Sequence, residues 1–215
     1  MELQVVNLLT ELEARLRVEE SQSPKENPFT TLSPEELDKL MSQLMLAVGP
    51  ETGKFLNMLL KMQGGKRILD IGTSFGYSTL WLAEAARVNG GHVITLEYVN
   101  SKQAQAIEHI HKAGLQNVVD FKLGDAVALL ETLPGPWDFV LIDLWKDLYI
   151  PCFDHIYEKL SPGAIVIADN ISFPVEFRET MKAYQQHVRS KPNLDSVEVG
   201  VGHGLELTRK RSGIS

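Results

Sequence analysis

A chain of 215 residues, 44% hydrophobic and 23% charged, is long enough for one domain with a sizeable core, and the mix is that of an ordinary globular protein. Its formal net charge of −7 argues against a nucleic-acid binder, which usually presents a basic face. The single cysteine, Cys152, excludes an intrachain disulfide and points to a reducing, cytoplasmic setting.

The first stretch, MELQVVNLLTELEARL, has charges inside its apolar pattern and does not read as a signal peptide. No apolar run approaches the roughly 20 residues of a membrane helix, so no membrane partner is expected. Leu3, Val6, Leu9, Leu12 and Leu16 recur at helical spacing, which predicts a helix over 2–20. Its apolar stripe has three uses open to it: packing on its own domain, covering a substrate mouth, or joining a homodimer. SQSPKENPFTTL follows as a polar linker or lid, so that 1–32 is an N-terminal appendage and 33–215 a core within a single domain. Ser33-Pro34-Glu35-Glu36 predicts a helix start with a capping box, and that helix is expected to run to about Val48, where Gly49-Pro50 breaks it. PETGKFLNMLLKMQ predicts the next helix.

From Lys66 strands and helices alternate. RILDIG, HVITLE, VVDFKL, WDFVLID and AIVIAD read as strands, separated by the helical stretches YSTLWLAEAARV, SKQAQAIEHIHKAG, DAVALLETL and YIPCFDHIYEKL. Strands made of continuous apolar runs predict an α/β fold with a parallel sheet covered on both faces. After the helix EFRETMKAYQQHV, the segment LDSVEVGVGHGLELTRK reads as an antiparallel hairpin.

LDIGTSFGYS stands where the first strand meets the first helix of this pattern. Gly72 and Gly76 let backbone approach a ligand, and a helix N-terminus favours anionic groups. The alternative is a tight turn with no ligand. Glu97 ends the second strand, where an acid can hold the hydroxyls of an adenosine ribose. Ser74 stands in place of the middle glycine of the dinucleotide fingerprint, which weakens NAD and leaves S-adenosylmethionine unaffected, since the latter has no pyrophosphate. Asp125, after the third strand, suits either an adenine amino group or a helix N-cap.

Asp143 ends the fourth strand and Asp169-Asn170 the fifth. If those strands are neighbours, two carboxylates and an amide oxygen converge, a donor set that suits Mg²⁺; the alternative is a pair of loop caps. Lys146 follows Asp143 by three residues and lies near the same spot, as a base if its pKa is lowered or as a solvated loop lysine if not.

GxxxGYS after the first strand, DxxKDxY after the fourth and DN after the fifth together resemble the metal-dependent class I O-methyltransferases, the family of catechol and caffeoyl-CoA O-methyltransferases, over roughly residues 33–210. The resemblance implies a Rossmann-like fold whose seven-stranded sheet has an antiparallel last strand, with extra N-terminal helices. It implies S-adenosylmethionine held by Val48, Gly72, Ser74, Ser78, Glu97, Tyr98, Asp125, Ala126 and Asp143, with Trp145 beside the adenine. It further implies Mg²⁺ on Asp143, Asp169 and Asn170, Lys146 as general base, and a small phenolic substrate. The sequence departs from the catechol branch at Leu144, where that branch has histidine. The glutamate that orients the second hydroxyl has no assured counterpart, because strand alternation leaves the side of Glu206 open. His203 has two readings, one facing the site and one as a solvated turn residue. Two other functions keep the fold: methylation of a hydroxylated tRNA base or antibiotic precursor, and non-catalytic binding of S-adenosylmethionine. The acidic charge speaks against tRNA, and a binder has no need of the acid pair and lysine.

Overall fold

The computed structural model describes residues 1–21 and 28–212. One seven-stranded sheet organises it, in the order β3-β2-β1-β4-β5-β7-β6. Its strands are β1 (Arg67–Ile71), β2 (His92–Glu97), β3 (Val119–Leu123), β4 (Trp137–Ile142), β5 (Leu160–Ala168), β6 (Leu194–Val199) and β7 (Leu205–Lys210). The helices are α1 (Leu3–Ser21), α2 (Pro28–Thr31), α3 (Pro34–Gln43), α4 (Gly49–Gln63), α5 (Tyr77–Asn89), α6 (Asn100–Lys112), α7 (Ala126–Thr132), α8 (Tyr149–Tyr157) and α9 (Arg178–Arg189). β1 to β5 pair in parallel, and β7 runs antiparallel to both β5 and β6. The predicted parallel sheet and terminal hairpin are both present.

The strands are apolar on both sides because both faces are covered. Ile68, Val93, Phe139, Leu141, Ile165 and Ile167 join a core with α1, α4 and α5. Their alternates Leu69, Ile71, Val140, Ile142, Val166 and Ala168 join a second core with α8 and α9. The chain order reverses between β1 and β4, so the carboxyl ends of these two adjacent strands open the crevice where α/β sheets bind ligands.

Three expectations about the N-terminal third are corrected. The stripe on α1 is rotated: Val5, Leu8, Leu9 and Leu12 are buried, whereas Leu3 is 72% and Val6 41% exposed. The buried side of α1 is the one that packs on α5 and α6. The capping box is formed, with Ser33 Oγ accepting from Glu36 N and the Glu36 carboxylate accepting from Ser33 N at 3.0 Å. However, α3 stops at Gln43 and an irregular strap, residues 44–48, follows. Gly49-Pro50 therefore opens α4 rather than breaking α3; proline lacks an N–H that the first turn of a helix would leave unpaired in any case. Of the linker, residues 28–31 form a short helix, and 22–27 lie outside the described residues. Among the described residues no helix is long and apolar enough to cross a membrane.

Candidate active site

Gly72, after β1, has φ +117 and packs so closely on the end of β4 that a Cβ there would run into the carbonyl of Asp143. Gly76 has φ +83 and lies 3.1 Å, measured from an added Cβ, from Ala106 of α6. The chain itself thus requires both glycines, whatever ligand approaches them. Their effect is still to bring the β1 loop and β4 together at the crevice. Ser74 also has positive φ, at +47, held by two bonds: its N–H donates to Glu97 Oε2 at 2.7 Å and its Oγ to the Met45 carbonyl at 2.6 Å.

Glu97 is fixed at the end of β2. Its Oε1 accepts from Tyr98 N at 2.9 Å and Val99 N at 2.7 Å. A carboxylate oriented by three backbone donors is preorganised to accept hydrogen bonds from paired hydroxyls. A narrow cleft of about 10 Å³ runs between the strap and the glycine loop, lined by Met45, Val48, Gly72, Ser74, Ser78 and Asp143 among others. Val48 and Ser78, named from sequence at this end, both border it. Tyr98 and Trp145 are exposed on the loops after β2 and β4. Asp125 is the N-cap of α7, its Oδ1 accepting from Ala128 N at 2.9 Å, and Ala126 is the first residue of that helix. The capping alternative for Asp125 is realised, which leaves its other oxygen for a ligand.

β4 and β5 are neighbours, with Ile142 opposite Ala168, so Asp143 and Asp169 follow paired residues. The acid pair converges as the sequence predicted. Burial pushes the Asp169 carboxyl up to about 8, and the charge of Asp143 adds to it. Asp143 is raised as well by burial, against which Lys146, Lys102 and His203 act. Asp169 Oδ1 is buried without a hydrogen-bond partner. Asn170, at φ +57, turns its Oδ1 to the same place. Lys146 Nζ lies 2.7 Å from Asn170 Oδ1, 2.7 Å from the Tyr149 hydroxyl and 3.6 Å from Asp143 Oδ1. It is not a solvated loop lysine: only 8% is exposed, and burial lowers its pKa more than the two carboxylates raise it. Among the described residues no three His, Cys, Asp or Glu side chains group together. The oxygen donors here are two carboxylates and the Asn170 amide, hard ligands fitted to Mg²⁺. A carboxylate oxygen buried with no partner, beside a second carboxylate, is the electrostatic situation that a cation relieves.

Two uncertain positions are now resolved. Glu206 is fully buried and engaged away from the acid pair. It accepts from Arg189 Nε and Nη2 at 2.8 Å each and from Gln185 Nε2 at 2.8 Å, so it ties the hairpin to α9. His203 takes the turn reading: it is exposed in the turn before β7, its ring 4.9 Å from that of Phe173, which follows Asn170 by three residues.

Asp70 was not singled out from sequence, although it stands two residues before Gly72. Its Oδ2 accepts from Thr79 Oγ1 at 2.6 Å and Thr95 Oγ1 at 3.0 Å, which pins β1 to β2 and α5 beneath the glycine loop. Burial raises its pKa to about 7, the Thr79 and Thr95 bonds opposing and Asp143 adding a little. Because the folded pKa lies above the unfolded one, Asp70 favours the native state least at high pH. Its contribution falls as pH rises from about 4 and levels off above about 7, by roughly 4 kcal/mol at most. Asp70→Asn is expected to gain stability relative to wild type across that window. Urea unfolding of both proteins at several pH values measures the difference, and parallel pH profiles would contradict the assignment.

Residues 19–211 match the family model described as O-methyltransferase. A catechol O-methyltransferase of Niastella koreensis is 38% identical over 130 residues, 59% of this chain and 58% of that protein. A second, from Mycobacterium tuberculosis, is 35% identical over 127 residues, 59% of this chain and 57% of that protein. The chain thus matches less than two thirds of the length of these curated relatives. The crystal structure of the O-methyltransferase from Bacillus cereus in complex with SAH superposes with a TM-score of 0.73 at 25% identity, covering 91% of this chain and 96% of that one.

Proposed function

The chain belongs to the O-methyltransferase family, and on that premise we propose that it transfers a methyl group from S-adenosylmethionine to one hydroxyl of a small catechol-like acceptor, with a divalent cation and Lys146 as general base. The observation that carries this reading is the convergence of Asp143, Asp169, Asn170 and Lys146 at the ends of two adjacent strands, beside the glycine loop. A protein that only bound the cofactor would have no use for a buried lysine against an acid pair.

Glu97 binds the ribose hydroxyls, and Ser74, Ser78 and the Val48 backbone bound the methionine end. S-adenosylmethionine supplies an electrophilic methyl carbon on sulfur. Asp143, Asp169 and Asn170 would hold Mg²⁺, which acts as a Lewis acid and lowers the pKa of a neighbouring hydroxyl. Lys146 accepts the hydroxyl proton at Nζ; burial lowers its pKa, which favours that role. The acceptor oxygen then bonds to the methyl carbon as the carbon–sulfur bond breaks. The chain's part is to hold both reactants in line and exclude water.

The test is incubation with S-adenosylmethionine, Mg²⁺ and a series of catechols, reading a gain of one methyl group by mass spectrometry. EDTA is expected to stop turnover and excess Mg²⁺ to restore it. Turnover indifferent to EDTA would remove the metal from the reading while leaving methyl transfer in place.

A further inference from the structure

α1 buries its apolar stripe in the core, and three of its polar residues, Glu13, Arg15 and Glu19, are turned inward as well. Glu13 Oε1 accepts from the Tyr77 hydroxyl at 3.0 Å, and the Arg15 guanidinium lies 4.2 Å over the Phe75 ring, so both reach the glycine loop. Arg15 Nε also donates to Glu19 Oε1 at 2.9 Å. The other oxygen, Glu19 Oε2, accepts from the backbone N–H of Met45 at 2.9 Å. The carbonyl of the same residue accepts from Ser74 Oγ. Met45 is thus gripped on both its backbone groups, by α1 on one side and by the glycine loop on the other. It sits in the strap that leads into Val48, and Leu46 beside it is held at φ +49, a conformation that a non-glycine side chain rarely adopts. A strained residue persists only where its surroundings fix it. The Glu19 side chain is 18% exposed, so its bond to Met45 is shielded from competing water.

The cleft between strap and glycine loop has room for about one water molecule. The position of the strap therefore sets how much room a ligand has there.

We propose that Glu19 is a positioning residue for the cofactor: through the Met45 N–H it draws the 44–48 strap onto the methionine end of S-adenosylmethionine and sets how long the cofactor stays. This rests on the cofactor reading above. Glu19 touches no reacting atom; it acts through the strap. Arg15 acts one step further back, by aiming the Glu19 carboxylate.

The test is SAH binding by calorimetry and stopped-flow with the full chain. Loss of one shielded, charge-assisted hydrogen bond corresponds to about a tenfold effect. Glu19→Ala is expected to speed SAH dissociation about tenfold and to weaken Kd with it. The KM for S-adenosylmethionine should rise in parallel, with kcat moving much less. Glu19→Gln, which keeps an acceptor oxygen, should recover part of the loss. Should Glu19→Ala fail to fold, Arg15→Ala, which removes one partner of the same carboxylate, is expected to show the same effect in smaller measure. An unchanged or slower dissociation rate in these variants would overturn the proposal and leave α1 a packing element. Absence of SAH binding by the wild type would overturn the cofactor reading itself, and this one with it.

Discussion

Asp169→Ala is expected to lower methyl transfer by about a thousandfold while SAH still binds, because on the proposed reading it removes one of two carboxylates that would hold the cation and none of the groups that would hold the cofactor. The same change should not cost stability. In the metal-free protein Asp169 is a buried carboxyl with an unpartnered oxygen, pushed up to about 8 by burial and by Asp143. Its backbone carbonyl, which accepts from the Tyr149 hydroxyl at 3.1 Å, survives the substitution. Two measurements therefore separate the roles: turnover should collapse, and the thermal midpoint without metal should hold or rise. A variant that loses stability and turnover together would make Asp169 a structural residue. One that keeps turnover would remove the metal hypothesis.

The parallel sheet was legible because β1, β2, β4 and β5 are continuous apolar runs, and only a strand covered on both faces can carry such a run. The acid pair was legible for a related reason. Once β4 and β5 are neighbours, residues just past their ends must meet, and Asp143 and Asp169 stand at those two places. What could not be read was set by contacts between distant segments. Gly49-Pro50 serves equally as a stop or a start, and only the strap that Met45 forms with Ser74 and Glu19 decides between them. The side of Glu206 is fixed by the register of β7 on β5, which places it opposite Ala168 and under Arg189. The glycines are the instructive case. Their motif pointed to the crevice between β1 and β4, and Gly72 is required there already by the carbonyl of Asp143. The loop is tight because β1 and β4 lie side by side there, and the crevice exists because the strand order reverses between them.

Lys146→Met should lower kcat by about two to four orders of magnitude, the usual contribution of a positioned general base, with little change in SAH affinity. Methionine keeps the apolar stem in place and removes only the nitrogen. Tyr149 is the other proton acceptor within reach, since its hydroxyl touches Lys146 Nζ. It cannot serve: burial and the two aspartates hold its pKa well above the usual tyrosine range, and its proton is already given to the Asp169 carbonyl. Tyr149→Phe should accordingly cost far less than Lys146→Met, because the hydroxyl only helps to aim the Lys146 Nζ that Asn170 Oδ1 also holds. Steady-state kinetics of the two variants under saturating Mg²⁺ and cofactor decide between the two groups. Equal losses would mean that the pair acts as one unit. A larger loss for Tyr149→Phe would pass the base role to the phenol, and would require its pKa to fall once a cation binds beside it.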